Sequence, residues 1–204
     1  QAIMDAKRVY IAGWGRAGNC VKILAMDCSQ MGMEAHICGD NTTPSIHEGD
    51  ILIINTGYHI YGWDSPTADE RRYMLRHPGP SLDFIQWVRD KKIRWIGVDC
   101  GSADHPMNTK IRDWEPMEAE KCDKVFRERY GKALNEVYPW PDRYQAMHIE
   151  LFCKPYEAIH AECLGGEIEQ LSNKRVIIGC FPWKLVDGES CISRIVAFDG
   201  FEDV

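Results

Sequence analysis

The alternation of strand and helix between residues 51 and 99 constrains the fold more than any other part of this sequence. ILIIN at 51–55 is a short, wholly apolar run, as expected for a strand buried on both faces, and IRWIGVD at 93–99 is a second β-type run. The helical segment LDFIQWVRDKK, residues 82–92, directly precedes the second run. A helix followed closely by a strand is half of the crossover unit that joins parallel strands. We therefore expect an α/β fold.

Two helices are predicted between these strands. The first, near TADERRYMLRH, is expected to begin at Pro66 after a cap from Asp64 or Ser65, because proline suits a first helical turn. It is expected to stop at His77, since the residue before a proline disfavours helical backbone. Ser81 is the expected cap of the second helix.

The rest of the chain extends the same pattern without a repeat or a linker. We expect strands at 8–12 and 20–26 around a glycine-rich turn, a long helix over 115–138, and a closing hairpin of strands at 175–181 and 191–198 turning at Asp187-Gly188. These elements predict one mixed α/β domain over residues 1–204.

Composition excludes several classes of protein. The 204 residues are 45% hydrophobic and 27% charged, as in globular domains, and the formal net charge of -7 disfavours nucleic acid and anionic membranes as partners. No apolar run approaches the roughly 18 residues needed to span a bilayer. The nine cysteines are scattered and form no CxxC pair. This usage predicts reduced thiols in a cytoplasmic protein.

Two patterns near the N-terminus carry little functional weight. The glycines of GWGRAGN follow the dinucleotide-binding spacing only in outline, and no clear helix follows them. Cys28, His36 and Cys38 lack a fourth zinc ligand at usable spacing, so we interpret them as loop residues.

The segment QAMHIELFCKPYEAIHAECLGG, residues 145–166, carries the strongest chemical signal. It continues past Lys154-Pro155 as a predicted strand over residues 156–162, in which His160 and Glu162 point to one side because strand side chains alternate. With His148 upstream, this pattern predicts a divalent metal site or an acid–base pair. A hydrogen-bonded polar cluster at the edge of the core is the alternative.

A second candidate region is the loop CGSADHP, residues 100–106, at the C-terminal end of a predicted strand. Sheets of α/β proteins bind ligands at this end, which makes Asp104 and His105 candidates. A loop stabilised by Asx-type turns is the alternative interpretation.

Five pieces occur in an order that resembles the cyclase family of metal-dependent hydrolases, which includes bacterial kynurenine formamidases and isatin hydrolases. They are a strand with a TG turn, an HPG step into a helix, a GVD strand with its S-x-D loop, a histidine with a downstream glutamate and Gly-Gly turn, and a closing P…DG hairpin. In this chain they read ILIINTGYH at 51–59, HPGPSLDFIQWVRDKKIRWIGVDCGSADHP at 77–106, His148 to Gly166, and GCFPWKLVDGESCISRIVAF at 179–198.

The resemblance implies a kynurenine formamidase-like, swivelling β/α fold and a zinc or manganese ion that activates water against an amide or lactone carbonyl. It implies catalytic roles for His148 and Glu162, with His148, His160 and Glu162 as metal ligands. Their interval leaves His148 and His160 as rivals for the functional histidine. His59 and Trp63 resemble residues that line the substrate pocket, although packing within an aromatic loop is an equal alternative.

The family signature HxGTHxDxPxH, which supplies most of its metal ligands, does not occur in this sequence. Three explanations are a partner chain that carries it, a truncated form, and a member that has lost catalysis. We favour an oligomer with a chain that supplies the signature, because a cut through the metal site would leave strands unpaired. A non-catalytic regulatory subunit of the same fold and an unrelated small-molecule binding module using residues 99–106 are the competing hypotheses.

Overall fold

The computed structural model describes residues 8–11, 34–37, 50–172, 174–188 and 190–198. Backbone contacts divide the chain into two compact units, residues 1–46 and 47–204. The first unit contains the parallel strands β1 (Arg8–Ile11) and β2 (Glu34–Ile37). The strand predicted at 8–12 is thus confirmed, whereas the predicted strand at 20–26 and the glycine-rich turn lie outside the described residues. The prediction of one domain over the whole chain stays a prediction.

His36 corrects one expectation about this unit. It lies within β2, paired with Tyr10 of β1, and not in a loop. Cys28 and Cys38 lie outside the described residues.

A three-stranded parallel sheet organises the second unit. Its strands are β3 (Ile51–Ile54), β4 (Trp95–Val98) and β5 (Ile159–Ala161), with β4 in the centre. The parallel pairing of β3 with β4 confirms the predicted crossover unit. β4 is buried along its whole length, whereas β3 pairs with one neighbour, β4, among the described residues, and Ile51 is 38% exposed. The prediction that 51–55 is buried on both faces is therefore wrong.

Two helices connect β3 to β4 after a 3-10 turn at Tyr58–Tyr61. Helix α1 (Glu70–Leu75) begins later than predicted, because the Asp69 carboxylate caps it by accepting a 3.0 Å hydrogen bond from the Arg72 amide. Helix α2 (Asp83–Asp90) buries Ile85 and Val88, and its N-cap is Leu82 rather than the predicted Ser81.

The connection from β4 to β5 is longer and mostly helical. It contains a 3-10 turn at Pro106–Asn108, helices α3 (Ile111–Trp114), α4 (Pro116–Tyr130) and α5 (Leu134–Val137), and a π-helix at His148–Phe152. The single helix predicted over 115–138 is wrong, because Gly131 adopts a left-handed conformation, φ 66°, and ends α4. Met107, Leu134 and Tyr138 form a buried hydrophobic cluster beneath these helices.

The chain closes with an antiparallel hairpin of β6 (Ile177–Pro182) and β7 (Ser193–Phe198), which confirms the predicted hairpin. The structure is a mixed α/β fold, as expected. The finer likeness to the swivelling kynurenine formamidase fold stays a prediction. Among the described residues, every helix is too short or too polar to cross a membrane.

Candidate metal and acid–base site

Three predicted site residues meet beside the C-terminal end of β5. His160 lies in β5, Glu162 follows it, and His148 opens the π-helix. One ligand atom from each of the three lies within 4.8 Å of the others, and we call this group the His148 cluster. The strand predicted over 156–162 is shorter than expected, Ile159–Ala161, so Glu162 lies just beyond it. Glu162 still lies on the same side as His160, as predicted, with Oε1 4.0 Å from His160 Nε2. All three side chains are partly exposed, between 26% and 32%, so a small ion or a substrate can reach them.

Asp104 fixes the orientation of His148. Its Oδ2 lies 2.8 Å from His148 Nδ1, and its two oxygens accept the amides of Met147 and His148 at 2.9 and 3.2 Å. Because a carboxylate accepts hydrogen bonds, the proton of a neutral His148 sits on Nδ1 and its lone pair on Nε2. Asp104 is 2% exposed, so this contact is shielded from water.

Glu162 lies at the centre of the cluster. Its Oε1 accepts a 2.8 Å hydrogen bond from the Ala103 amide and lies 3.5 Å from His148 Nε2 and 4.0 Å from His160 Nε2. The Leu164 amide then donates to the Val98 carbonyl at 3.0 Å, which extends the pairing of β4 and β5 past their ends. The main chain therefore holds the carboxylate where two imidazole nitrogens face it.

Aromatic packing holds the two histidine rings in place. Phe152 stacks on His160 with ring centroids 4.1 Å apart and planes 8° apart, and it meets His148 edge to face at 5.3 Å. The two histidine rings lie 5.0 Å apart. The histidines that were rivals in the sequence therefore occupy one site.

The electrostatics of the two histidines differ. Burial disfavours the charged form of His148, but the hydrogen bond with Asp104 and the negative charge of Glu162 outweigh it and raise the pKa of His148. Burial lowers the pKa of His160, partly offset by Glu162. His160 is thus the readier lone-pair donor near neutral pH, and His148 binds a proton more tightly.

His59, in the 3-10 turn that follows β3, is held by a buried aspartate in the same way as His148. Asp99, fully buried, accepts hydrogen bonds from the Thr56 amide and hydroxyl at 2.7 and 2.6 Å through Oδ1. Its Oδ2 lies 2.9 Å from His59 Nδ1, and His59 Nε2 lies 3.4 Å from Glu169 Oε1. Burial raises the pKa of Asp99, but the hydrogen bonds from Thr56 and His59 outweigh it and lower the pKa overall.

The other candidate residues either lie away from the His148 cluster or contact one of its histidines. Trp63, predicted to line the pocket, is 93% exposed and so makes little contact with the rest of the described chain. The loop at 100–106 separates its two candidates. Asp104 turns to His148, whereas His105 stacks on Tyr138 at 5.1 Å and burial lowers the pKa of His105 to about 3.

Sequence reasoning missed the roles of Asp99, Asp104 and Glu169 as partners of histidines. The available signal was that Asp99 is the first residue after β4 and that Asp104 lies in the loop beyond it. The C-terminal ends of parallel strands lie at the same edge of a sheet, so acidic residues that follow one strand are expected near histidines that follow the others.

Comparison with known families supports the cyclase resemblance over part of the chain. A family model described as "Putative cyclase" matches residues 26–105, less than half of the sequence. The match includes the crossover unit, His59 and Asp104, whereas His148, His160 and Glu162 lie outside it. The finer likeness to kynurenine formamidases stays a prediction.

Curated relatives carry a different name. A 3-hexulose-6-phosphate isomerase from Mycobacterium gastri is 40% identical over 55 residues, which is 27% of this chain and 28% of the relative. Proteins of the same name from Bacillus subtilis and Methanocaldococcus jannaschii are 42% and 36% identical over 55 residues, covering 30% and 31% of the relatives and 27% of this chain. The matched stretch spans less than a third of the length of these relatives.

Proposed function

We propose that this chain forms part of a metal-dependent hydrolase that cleaves a cyclic or N-acyl amide, or a lactone, with water activated by a zinc or manganese ion. The observation that carries the proposal is the His148 cluster, in which two imidazole nitrogens face one carboxylate within 4.8 Å. The partial match to the cyclase family supports an enzyme of this class.

The residues of the cluster suit a divalent ion. Two imidazoles and a carboxylate are donors that zinc and manganese both accept. The contact of Asp104 with His148 is the outer hydrogen bond that metal-binding histidines usually make, which leaves Nε2 as the donor atom. In this proposal His148 Nε2, His160 Nε2 and a Glu162 oxygen hold the ion.

A bound cation would lower the pKa of a water and polarise the substrate carbonyl. The chain's own contribution is orientation and proton transfer. With Oε1 tied to the Ala103 amide, Glu162 presents its other oxygen to accept the proton of the attacking water. The same carboxyl group then returns that proton to the leaving nitrogen or oxygen, so no net proton is gained or lost.

Two imidazoles and one carboxylate already match the three protein ligands of many catalytic zinc sites. The resemblance to the cyclase family implies further ligands, because its HxGTHxD signature does not occur in this sequence. We propose that a segment with the spacing HxGTHxD supplies them, most simply on a partner chain. Intact-mass spectrometry of the native assembly tests this point. A stoichiometric second polypeptide carrying the spacing supports it, and a single mass equal to this chain favours the non-catalytic alternative.

The central experiment compares Glu162→Gln with wild type and with the exposed control Glu157→Gln. The first measurement is zinc and manganese binding by calorimetry after chelator treatment, and the second is hydrolysis of N-formyl, cyclic amide and lactone substrates. We expect Glu162→Gln to lose at least tenfold in metal affinity while keeping its fold by circular dichroism, and Glu157→Gln to match wild type. Equal metal affinity in all three proteins would reject the site.

A second candidate function is isomerisation of a phosphorylated sugar. It is favoured by the name that relatives from three organisms share. An imidazole beside a carboxylate can also move a proton between neighbouring carbons, as that chemistry requires.

Isotope incorporation separates the two candidates. Hydrolysis in water enriched in oxygen-18 places the label in the product carboxylate, whereas isomerisation of 3-hexulose 6-phosphate leaves the mass of the sugar phosphate unchanged. Turnover of the sugar phosphate that survives both metal removal and Glu162→Gln would assign isomerisation to another part of the chain.

A further inference from the structure

The contacts of His59 repeat those of His148 at the other edge of the sheet. In both places a buried aspartate engages Nδ1, at 2.9 Å for Asp99 with His59 and 2.8 Å for Asp104 with His148. In both places a glutamate oxygen lies beyond Nε2, at 3.4 Å for the exposed Glu169 and 3.5 Å for the partly exposed Glu162. One arrangement, aspartate to histidine to glutamate, therefore occurs twice.

The geometry places the second ring nitrogen of His59 opposite a carboxylate oxygen. Asp99 accepts hydrogen bonds from Thr56 through Oδ1, and its Oδ2 lies 2.9 Å from His59 Nδ1, so Nε2 is the ring nitrogen that faces away from Asp99. Nε2 lies 3.4 Å from Glu169 Oε1. Two donor atoms that each lie about 2.0–2.1 Å from one tetrahedral zinc ion have about this separation.

We propose that His59 Nε2 and Glu169 Oε1 form a second divalent-cation site, which takes a zinc-class ion with water or a substrate oxygen in its remaining positions. The support of His59 by Asp99 is the outer contact that orients metal-binding histidines. The side-chain exposures, 12% for His59 and 62% for Glu169, leave one side of the site open.

This site is separate from the His148 cluster. The two sites follow different strands, β3 and β5, which lie on either side of β4. At ordinary strand spacing β3 and β5 are about 10 Å apart. Paired catalytic metals lie about 4 Å apart. The second ion therefore anchors the 3-10 turn at Ile168–Leu171 or a distal substrate group, and it does not share the reacting water.

The position of the 3-10 turn at Ile168–Leu171 agrees with a cation that anchors it. Asn55 at the end of β3 donates a 3.2 Å hydrogen bond to Ser172, directly after the turn that carries Glu169. The turn is thus already held over the end of β3. A cation between His59 and Glu169 would add a second tie at the same place.

The test is zinc titration of the chelator-treated full chain, followed by calorimetry and by nitrogen-15 NMR of the histidine rings. The test variant is Glu169→Gln, which leaves the contact of His59 with Asp99 intact, and the matched control is Glu167→Gln, an exposed glutamate two residues away. We expect Glu169→Gln to weaken one zinc-binding event at least tenfold and Glu167→Gln to match wild type. In wild type, the His59 Nε2 resonance is expected to shift when zinc is added.

Two results would overturn the site. One is zinc binding of unchanged stoichiometry and affinity in Glu169→Gln. The other is a His59 ring that still carries protons on both nitrogens when zinc is present, since Nε2 would then have no lone pair to bind the ion. Glu162→Gln is expected to lose the other binding event only, so failure of the hydrolase proposal and failure of this site give different results.

Discussion

At the scale of single residues, Asp104 sets the chemistry of the candidate site although it faces away from solvent. Its carboxylate accepts hydrogen bonds from the His148 ring and from two main-chain amides, so its position depends on the backbone at the start of the π-helix. Its hydrogen bond decides which nitrogen of His148 carries the proton. Nε2 is therefore the atom presented to Glu162.

Asp104→Asn tests this control over the tautomer. An amide in place of the carboxylate can turn its NH₂ group to the ring, which would move the His148 proton from Nδ1 to Nε2. We expect zinc affinity at the His148 cluster to fall about 10- to 100-fold, the usual effect of losing such an outer contact. Competition with a chromogenic chelator measures the affinity, and nitrogen-15 NMR identifies the tautomer.

The exposed residue Asp142 provides a control for this change, because Asp142→Asn alters the net charge equally without touching the site. Wild-type zinc affinity in Asp104→Asn would show that His148 does not depend on Asp104 for its orientation.

The sequence allowed part of this site to be predicted. His160 and Glu162 were placed on one side because alternation along a strand is a local rule. The contact of Asp104 with His148 could not be predicted, because it joins residues 44 positions apart through a tertiary hydrogen bond. Local periodicity carries no information about such a pair.

At the scale of elements, the corner between α4 and α5 is fixed by a glycine and an aspartate. Gly131 ends α4 with a left-handed backbone, and its amide donates a 3.1 Å hydrogen bond to the Arg127 carbonyl. Asp123 then accepts the Leu134 amide at 2.7 Å, which ties the start of α5 back to α4. The periodic charges across 115–138 hid this corner from the sequence prediction, because they continue through it.

Gly131→Ala isolates the contribution of the corner. A Cβ at Gly131 meets nothing within 4 Å, so any cost comes from placing an alanine at φ +66°. That cost is about 1 kcal/mol. We expect the melting temperature to fall by roughly 2–4 °C for a chain of this length.

Gly165→Ala is the matched control for the corner. Its added Cβ also meets nothing within 4 Å, but its backbone is not left-handed. We expect its melting temperature to stay level or rise slightly, since alanine reduces the freedom of the unfolded chain. Equal losses in both variants would mean that the handedness of Gly131 is not what stabilises the corner.

At the scale of the whole molecule, buried neutral histidines link the stability of the fold to pH. Burial lowers the pKa of both His77 and His105, to about 3 for His105. In the unfolded chain a histidine titrates near pH 6.5. Below that pH the unfolded state binds protons at these histidines and the folded state does not, so the free energy of unfolding falls as the solution becomes more acidic.

His105→Asn measures the share of one histidine. Asparagine keeps an oxygen for the Met107 amide, which now donates to His105 Nδ1 at 3.1 Å, but it does not titrate. From pH 7 to pH 5, we expect the wild type to lose about 2 kcal/mol more unfolding free energy than the variant. Urea denaturation at the two pH values gives both losses. Identical losses would show that His105 accepts a proton within the folded protein.

The main-chain amide of Ala103 holds Glu162 with a hydrogen bond, so this contact does not depend on the side chain at position 103. Every residue type except proline brings the same N–H to that position. Substitutions at position 103 that fit the available space therefore leave the carboxylate anchored, and the side chain there is free to change over evolution. Proline is the one replacement that would release Glu162 without altering a single functional side chain.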